Sequence, residues 1–527
     1  MEIEILIKNY RCFPDENPAR LRLGNGFIAL LGQNNSGKTA LLRFFYEFRG
    51  LFARLAEPGV IVPALRGQNL LQFGRVPTRD MENIFARANG RPMTIEMNLS
   101  DSANVRVELT LQRGNPNPVG TLTARLLVNG SPIPPAEVVS TQGDNLLARG
   151  QPIDPSKLQE AFRQISRSVY IPAFRNVVNA GATENYFDIA VGQAFVQRWR
   201  EHQTGDSVKR NELISRVIQD ISRIFGFHEL QIHASNDNTT LQLIVDGRSY
   251  RLEELGSGIA QFVIALGTVA TSECAYVLID EPELGLHPTL QIDFLTSLAS
   301  FAENGVLYST HSVGLARATA DSIYAIIREG DGRSRVTPFD QITTNLSEFL
   351  GELNYSGFTM LGFKTILLVE GSSEVKTFQQ FLRWIKRDHE IVLFPLGGSQ
   401  LINRSAQVQL EELKRITSNI VAIIDSERGA AGEPLSAERE GFVQACQKAD
   451  IPCHVLERRA IENYFSETAI KKVKGDKHRA LGPYERLRDA NPAWAKSENW
   501  RIVREMKPSE LENTDLGKFV ESLRDLR

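Results

Sequence analysis

Two short stretches of the chain end apolar runs with acidic residues, in a pattern that could assemble a metal site. ILLVEGSSE (366–374) leads from a strand-like run to Glu370, and Glu374 follows one helical turn later. IVAIIDSERG (420–429) leads to Asp425, with Glu427 two positions on. Ligands of open α/β sheets bind beyond the carboxyl ends of the strands, so these carboxylates are expected to converge. Since they would repel one another without cations, the pattern predicts Mg²⁺ or Mn²⁺ as the ligand.

The chemistry that such a cluster supports is phosphodiester cleavage. Metal ions held by carboxylates activate a water molecule and stabilise the leaving oxygen. Glu370 would act as a metal ligand and base, and Gly371 would let the backbone turn sharply after the strand. Each stretch alone is ambiguous, because apolar strands that end in an acid occur in many α/β domains.

A glycine-rich loop lies near the start of the chain. LGQNNSGKT (31–39) places Gly32, Gly37, Lys38 and Thr39 in the GxxxxGK[ST] pattern, between an apolar run and a predicted helix. Backbone N–H groups of such a loop, which here includes Asn35 and Ser36, wrap phosphate oxygens. Lys38 would neutralise β/γ-phosphate charge and Thr39 would hold Mg²⁺. The loop predicts ATP with Mg²⁺ as a cofactor.

Three later motifs complete a nucleotide site. In VLIDEPELGLHP (277–288) an apolar strand ends in Asp280, a metal-side carboxylate, and Glu281, which can orient or deprotonate the attacking water. LGSGIAQ (255–261) precedes this strand, and YSTHS (308–312) follows it. The four motifs in this order resemble the core of ABC-type ATPases, over roughly residues 1–340.

The ABC-type resemblance implies two nucleotides sandwiched between two ATPase heads, and therefore at least a homodimer. Ser257 and Gly258 would contact the γ-phosphate bound by the second protomer. His311 would be the switch histidine. The resemblance is to the repair and chromosome-maintenance branch of these ATPases, and a compact helical insertion would replace the long coiled-coil arms of that branch.

The acidic stretches together resemble the Toprim fold of topoisomerases, DnaG-type primases and certain nucleases. That fold has a Glu-Gly strand end followed by Asp-x-Asp, whereas this chain has Glu427 as the second acid. A further block, LERRAIENYF (456–465), places Glu462 and Arg458 or Arg459 near the metals by the same resemblance. Glu374 and Glu462 would help to hold a second cation, and the arginine would stabilise charge on the scissile phosphate.

An ABC-type ATPase followed by Toprim resembles the OLD (overcoming lysogenization defect) family of nucleases, over about residues 1–470. The family includes Gabija-type and retron-associated phage-defence effectors. The resemblance implies a DNA endonuclease gated by nucleotide state, with DNA as a partner. It also implies a defence-system partner, such as a reverse transcriptase with its single-stranded DNA, or a helicase.

The pattern of elements predicts an α/β fold: an ATPase head with an antiparallel β subdomain and a short helical insertion, then a Toprim domain with a parallel sheet. The expected domains are residues 1–345, with the helical dimerisation insertion at about 175–228, then 346–475, and a C-terminal helical tail at 476–527. Period-two alternation from Thr94 to about Pro134 predicts the hairpins of the β subdomain. In the apolar stretch Ala260–Ile279, Gln261 and Glu273 favour a helix followed by a strand over a membrane span.

Composition limits the function classes. The chain has 527 residues, a formal net charge of −3 and 42% hydrophobic residues, so no global positive field draws it to nucleic acid and DNA contacts must be local. Its four cysteines form no CxxC pair, and no signal peptide is evident at Met1–Asn9. These features predict a cytoplasmic protein without a membrane partner.

Three alternatives remain open from the sequence. One is a repair-type ATPase that binds DNA and whose acidic domain cuts nothing. Another is primase or topoisomerase chemistry; a topoisomerase would need a nucleophilic tyrosine, for which Tyr355 and Tyr464 are the nearest candidates. The third is an effector kept silent by a partner protein.

Overall fold

The computed structural model describes residues 2–57, 59–68, 71–72, 81–87, 89–99, 105–112, 121–140, 146–148, 151–173, 187–190, 192–329, 332–339, 365–388, 390–396, 410 and 419–525. The chain divides into two compact units. The first comprises Met1–His311 and Tyr324–Phe339, and the second comprises Ser312–Ile323 and Asp340–Arg527. The predicted domain boundary at residue 345, part of the predicted helical insertion, and Tyr355 lie outside the described residues.

One sheet of the first unit carries the nucleotide loop. Its strands, in spatial order, are β12 (Ser168–Ile171), β16 (Tyr276–Asp280), β17 (Gly305–Thr310), β3 (Gly26–Leu31), β18 (Ser322–Arg328) and β19 (Ser334–Pro338). The first four strands are parallel to one another, and β18 and β19 are antiparallel to each other. Because parallel strands point the same way, the ends of β3, β16 and β17 meet at one edge.

A second sheet of the first unit is antiparallel and follows the period-two pattern of the sequence. Its strands, in spatial order, are β2 (Ala19–Leu23), β1 (Ile3–Lys8), β5 (Met93–Leu99), β6 (Val105–Leu111), β7 (Thr121–Val128) and β4 (Leu71–Gln72), with β8 (Ser131–Pro132) beside β7. Two small antiparallel sheets contain β9 (Val138–Ser140), β10 (Leu146–Ala148) and β11 (Gln151–Ile153), and β13 (Leu230–Ala234), β14 (Leu241–Val245) and β15 (Arg248–Arg251). The antiparallel β subdomain predicted from the sequence is therefore present.

Helices of the first unit cover apolar faces of these sheets. They are α1 (Lys38–Leu55), α2 (Ile61–Leu65), α3 (Pro155–Ser166), α4 (Gln193–Thr204), α5 (Val208–Phe225), α6 (Ser257–Ala270) and α7 (Pro288–Ser300). Helix α1 buries a row of leucines and phenylalanines against the core, which anchors the loop before it. Helix α6 and strand β16 correspond to the helix and strand predicted for Ala260–Ile279.

The second unit contains a parallel sheet in the order β21 (Ile391–Pro395), β20 (Thr365–Val369), β22 (Ile420–Ile424) and β23 (Cys453–Val455). Its helices are α8 (Val313–Thr319), α9 (Ser372–Trp384), α10 (Ala437–Lys448), α11 (Glu467–Lys474), α12 (Asn499–Glu505) and α13 (Asp515–Ser522). Helix α9 packs against α12, so the predicted C-terminal tail is part of this unit.

Candidate functional site

The nucleotide loop joins β3 to α1 and closes around its own lysine. Lys38 Nζ donates hydrogen bonds to the carbonyl oxygens of Gly32 and Gln33 at 2.8 and 3.0 Å. It also lies 3.1 Å from His311 Nε2. Burial lowers the pKa of Lys38, and the nearby carboxylates, Glu281 first, partly offset that effect. The ammonium group is held where the loop N–H groups surround a phosphate.

Two glycines of this loop are required by its shape. A Cβ on Gly32 would lie 2.5 Å from the carbonyl oxygen of Ile326, and Gly37 has φ +109°, a conformation that disfavours side chains. Ser36 is buried, and its Oγ has no hydrogen-bond partner within the described part of the chain. An orphaned buried hydroxyl beside loop N–H groups fits a phosphate oxygen as its missing partner. Asn35, exposed and with φ 61°, forms the outer turn of the loop.

Asp280, at the end of β16, faces the first residues of α1. Thr39 Oγ1 donates a 2.8 Å hydrogen bond to Asp280 Oδ2. Ser309 Oγ, from the neighbouring strand β17, hydrogen-bonds to Asp280 Oδ1. A hydroxyl paired with a carboxylate beside a phosphate loop is the donor set that Mg²⁺ takes in nucleotide sites, so the residues present fit the predicted cofactor.

Glu281 follows Asp280 in a left-handed conformation, with φ 50°, that turns its side chain toward the end of β17. Its backbone N–H donates to Ser309 Oγ at 3.0 Å. Its Oε1 lies 3.1 Å from His311 Nε2, the same nitrogen that meets Lys38. The structure thus joins Lys38, His311 and Glu281 in one chain of contacts.

Ser257 and Gly258 begin α6 and lie against the loop that follows Glu281. A Cβ on Gly285 would be 3.9 Å from Ser257 Oγ, and one on Gly258 would be 3.8 Å from the carbonyl oxygen of Gly285. Ser257 is exposed and is not among the hydrogen-bond partners of Lys38. Ser257 and Gly258 therefore contact the loop that follows Glu281.

The acidic cluster of the second unit is assembled at the ends of two adjacent parallel strands. Glu370 follows β20 and Asp425 follows β22. The backbone N–H of Asp425 donates to Glu370 Oε1 at 2.8 Å. Arg439, from α10, donates its Nη2 to both oxygens of Glu370 at 3.2 and 3.3 Å and its Nε to the Asp425 carbonyl at 2.8 Å. Glu370 is thereby fixed from two sides.

Glu374 and Glu462 join the cluster from helical segments. Glu374 lies in the first turn of α9, and Glu462 lies in the 3₁₀ turn Ile461–Tyr464. Both side chains are buried, with exposed fractions of 7% and 1%. Asn499 Nδ2 donates to Glu462 Oε1 at 2.8 Å, and the backbone N–H of Ile461 donates to Asp425 Oδ1 at 3.1 Å. Four carboxylates therefore share one small volume.

Lys496 supplies positive charge to this volume. Its Nζ lies 3.5 Å from Glu462 Oε1 and 4.0 Å from Asp425 Oδ2. Burial alone would lower the pKa of Lys496, but the charges of Glu462, Asp425 and Glu374 outweigh it and raise the pKa. No motif flags Lys496, which lies 34 residues beyond Glu462. The signal that could have pointed to such a residue is the uncompensated charge of the predicted cluster.

The acids of the cluster perturb one another. Burial raises the pKa of Asp425 well above its ordinary value, and the neighbouring charges of Glu370, Glu462 and Glu374 add to the effect. Burial also raises the pKa of Glu370 and of Glu374, although Arg439 opposes the shift at the first and Lys496 at the second. Raised pKa values of this kind occur at functional sites and also in structural ion-pair networks.

The donor chemistry of the cluster fits Mg²⁺ or Mn²⁺, because it consists of carboxylate oxygens. The present geometry is not a finished coordination shell. Within the described ranges, no group of three His, Cys, Asp or Glu side chains is arranged to hold a metal ion. Lys496 lies among the carboxylates, and Arg439 engages both oxygens of Glu370. These ammonium and guanidinium groups supply positive charge beside the carboxylates.

Three other predicted site residues lie at the rim or face away. Arg459 pairs with Glu427, whose φ is 55°, and donates to the carbonyl oxygens of Glu427 and Arg428. Arg458 Nη1 donates to the carbonyl oxygen of Asn463 at 2.6 Å, and its guanidinium lies 4.7 Å from the ring centre of Tyr464. Arg458 therefore makes structural contacts. The acids Glu370, Asp425 and Glu462 have Arg439 and Lys496 as their basic neighbours.

The predicted role of Gly371 needs correction. Its backbone is extended, with φ −151° and ψ −173°, so the turn after β20 does not use a conformation reserved for glycine. A Cβ at this position would instead lie 3.1 Å from Glu374 Oε2. The glycine leaves room for the buried Glu374 carboxylate.

Tyr464 is held by hydrogen bonds. Its hydroxyl donates to Asp515 Oδ1 at 2.6 Å and accepts from the backbone N–H of Arg458 at 2.9 Å. Burial, reinforced by the Asp515 carboxylate, raises the pKa of this phenol. A buried, hydrogen-bonded phenol with a raised pKa is a poor nucleophile, which disfavours topoisomerase chemistry at Tyr464.

Comparison with known proteins assigns part of the first unit. Residues 156–316 match the family model described as an AAA ATPase domain. This stretch contains Asp280, Glu281 and His311, and it lies in the unit that carries the nucleotide loop. The chain therefore contains an ATPase domain that binds ATP. No curated protein matches the chain.

Solved structures of SMC heads are similar to part of the chain. The SMC head domain from Thermotoga maritima is 16% identical, with a TM-score of 0.33, over 64% of this chain and 99% of that one. An SmcHead bound to the C-winged helix domain of ScpA is 13% identical, with a TM-score of 0.35, over 64% and 97%. An Smc head from Pyrococcus furiosus with an extended coiled coil, bound to the C-terminal domain of ScpA, is 11% identical, with a TM-score of 0.33, over 68% and 100%. Likenesses this low do not assign a fold.

In the described part of the chain, no helix has both the length and the apolar character that a membrane crossing demands.

Proposed function

We propose that the protein is an ATP-regulated, divalent-metal-dependent DNA endonuclease of the OLD type, with an ABC-type ATPase head and a Toprim nuclease domain. The observation that carries the proposal is the convergence of Glu370 and Asp425 at adjacent strand ends, joined by a 2.8 Å hydrogen bond. Buried acids with perturbed pKa values beside a lysine are more frequent at functional sites than elsewhere, which supports phosphodiester hydrolysis here.

In the ATPase head, each residue has a defined task. Lys38 binds the β- and γ-phosphates, and Thr39 with Asp280 holds Mg²⁺. Glu281 orients the attacking water, and His311, in contact with both Lys38 and Glu281, couples the state of the phosphate site to the carboxylate. Ser257 and Gly258 serve the nucleotide of a second protomer. The protein is accordingly proposed to be a homodimer or larger.

In the nuclease site, Glu370, Glu374, Asp425 and Glu462 would hold the divalent cations, with Glu427 at the rim. A bound Mg²⁺ or Mn²⁺ supplies an activated water and stabilises the leaving oxygen. The remaining tasks belong to the chain itself. The Asp425 N–H and Arg439 fix the direction of Glu370, Asn499 fixes Glu462, and Lys496 offers an ammonium group to the scissile phosphate.

The decisive experiment is a cleavage assay on several DNA forms with Mg²⁺ or Mn²⁺, with and without ATP. Wild type, Lys38→Ala and Glu370→Gln are compared. The proposal expects cutting by the wild type, loss of cutting in Glu370→Gln, and a changed response to ATP in Lys38→Ala. Absence of cutting by the wild type on every DNA form and metal would overturn it. The proposed biological use, defence against phage together with a reverse transcriptase or helicase partner, is tested by infection of cells that carry the same variants.

A second candidate is a DNA-binding ATPase that cuts nothing. Lys496 and Arg439 favour it, since their positive charges already compensate part of the carboxylate cluster without a metal. In that case the cluster is an ion-pair network that holds the second unit together. Equal DNA binding by wild type and Glu370→Gln, with no cutting by either, would select this candidate.

A further inference from the structure

A cavity of about 420 Å³ opens beside the acidic cluster of the second unit. Its lining includes Glu462, Lys496, Glu427 and Arg459. It also includes a wall segment, Arg486, Leu487 and Arg488, from the stretch that the sequence assigns to a C-terminal tail. The cavity therefore shares Glu427, Glu462 and Lys496 with the proposed cutting site and adds the residues of this segment.

The wall is fixed to the rest of the second unit by buried hydrogen bonds. Asn463, 2% exposed, donates its Nδ2 to the carbonyl oxygens of Gly482 and Glu485 at 2.6 and 2.9 Å. The backbone N–H of Arg459 donates to the carbonyl oxygen of Pro483 at 2.9 Å. Because Asn463 directly follows Glu462, one short turn positions both the carboxylate and the cavity wall. Such anchoring makes the cavity a preformed feature.

The lining of the cavity holds four basic side chains, those of Arg459, Arg486, Arg488 and Lys496, and three acidic ones, those of Glu427, Glu462 and Glu485. Each acid on its surface has a basic partner: Glu427 pairs with Arg459, Glu462 with Lys496, and Glu485 with Arg479 through two hydrogen bonds of 2.8 and 2.6 Å.

Two further guanidinium groups belong to Arg486 and Arg488, both exposed at the mouth of the cavity. The ion pair of Arg488 with its neighbour Asp489 spans 3.7 Å between largely exposed groups and is weak. The cavity mouth therefore attracts an anion.

The cavity is too small to enclose a duplex. Its volume equals that of a cube with an edge of about 7.5 Å, which cannot hold a base pair together with both of its backbones. Ligand pockets span about 300–1,000 Å³, so this one accepts a group of the size of one nucleotide. Leu487, half-buried between the two arginines, offers an apolar surface to a base or sugar.

We propose that this cavity binds one nucleotide of a single nucleic-acid strand, next to the phosphate that the carboxylate cluster would cut, with Arg486 and Arg488 on its backbone phosphates. The inference deepens the proposed nuclease function by naming its substrate class, an unpaired strand, and it rests on that function for its meaning. DNA and RNA strands share the chemistry that the cavity recognises, so both are tested.

The test measures binding to the full-length protein in EDTA, where no cutting occurs. Fluorescence anisotropy follows a labelled 12-nucleotide oligo-dT, a 12-nucleotide oligo-U and a 12-base-pair duplex across a salt series. The variant is Arg486→Gln/Arg488→Gln. The matched control is Lys518→Gln/Arg524→Gln, which removes the same charge from exposed positions of the same unit outside the cavity. The variant Arg486→Lys/Arg488→Lys keeps the positive charge and tests whether charge alone restores binding.

The expected result is a loss of single-strand affinity of about tenfold or more in the glutamine variant, and little change in the control. Two lost phosphate contacts should flatten the slope of log affinity against log salt by about 1.4. The ratio of the oligo-dT to oligo-U affinities assigns the strand type. Unchanged single-strand affinity and slope in the glutamine variant would overturn the proposal, as would tighter binding of the duplex than of either single strand by the wild type.

Failure of this inference is distinguishable from failure of the nuclease function. If the protein binds single strands through the two arginines but cuts nothing in Mg²⁺ or Mn²⁺, the cavity assignment stands and the nuclease proposal fails. If the wild type cuts and the glutamine variant binds and cuts single strands equally well, the nuclease proposal stands and the cavity assignment fails.

Discussion

The backbone N–H of Asp425 and the side chain of Glu370 are joined by a 2.8 Å hydrogen bond across 55 residues of sequence. The bond links the ends of β22 and β20, which are adjacent and parallel. The backbone of Asp425 thus fixes the position of the Glu370 carboxylate. The relative position of the two acids is therefore set by the sheet and does not require a bound metal.

Glu370→Gln should abolish cutting and leave ATP hydrolysis intact. The amide oxygen can still accept from the Asp425 N–H, so the fold is kept while the charge that binds the cation is removed. We expect cleavage to fall by at least about 10²-fold, measured as nicking of plasmid DNA. Glu438→Gln, at an exposed position of α10, is the control and should cut normally. Full activity of Glu370→Gln would contradict the assigned role.

Lys496→Met should make the second unit depend on divalent cations for its stability. The side chain removed is the ammonium group that offsets Glu462 and Asp425. In EDTA we expect a loss of about 1–3 kcal/mol, less than for a fully buried pair because Lys496 is half-exposed. Mg²⁺ or Mn²⁺ should raise the melting temperature of this variant more than that of wild type. Lys518→Met serves as the control, and an equal metal response in all three proteins would refute the idea.

Lys38→Ala and Glu281→Gln should separate ATP binding from hydrolysis. Lys38 lies in the phosphate loop, so its loss should remove nucleotide binding, measured by fluorescent ATP analogues. Glu281 contacts His311 beside the loop, so Glu281→Gln should bind ATP and hydrolyse it about 10²-fold more slowly. Glu229→Gln, an exposed substitution in the same unit, should behave as wild type. Normal turnover by Glu281→Gln would assign the water to another residue.

Asp515 should stabilise the second unit in a pH-dependent manner. Burial raises the pKa of Asp515, but hydrogen bonds from His454, Tyr464 and the Glu457 N–H outweigh it and bring the pKa to about 2. The unfolded value is about 3.9. The folded chain therefore binds this proton less readily, so the stabilisation is present above about pH 4 and is lost as the pH falls toward 2.

Asp515→Asn should cost about 1–3 kcal/mol at pH 7 by urea denaturation, and the difference from wild type should shrink between pH 5 and 3. Asp525→Asn, at an exposed position near the end of the chain, supplies the comparison. A gap between Asp515→Asn and wild type that stays constant over this pH range would mean that the ionised carboxylate is not the stabilising group.

The parts of the fold with a clear hydrophobic period were predictable from the sequence. The antiparallel sheet of β5 to β7 follows the alternation from Thr94 to about Pro134, and helices α4 and α5 lie in the predicted helical insertion. The same holds for the acids at strand ends, since the carboxyl ends of adjacent parallel strands meet at one edge. Glu370 and Asp425 were found in this way.

The basic residues of the site were not predictable in the same way. Arg458 or Arg459 was implied by the family resemblance of the block LERRAIENYF, and the guanidinium of Arg458 packs on Tyr464. Lys496 reaches the acids from a polar segment whose position depends on the Asn463 and Asn499 hydrogen bonds and on the packing of α9 against α12. Contacts of this kind depend on tertiary structure, and neither the hydrophobic periodicity nor a sequence motif predicts them.

The hydrogen bond between Asn499 and Glu462 has a consequence for how this half of the protein can be divided. A shortened chain that stops at residue 475 would retain all four acids and lose both the asparagine and the ammonium group beside them. Such a fragment would carry the recognisable motifs of an autonomous enzyme and yet lack the groups that orient and neutralise them. The final fifty residues thus belong to the smallest piece of this half that can be expected to stand alone.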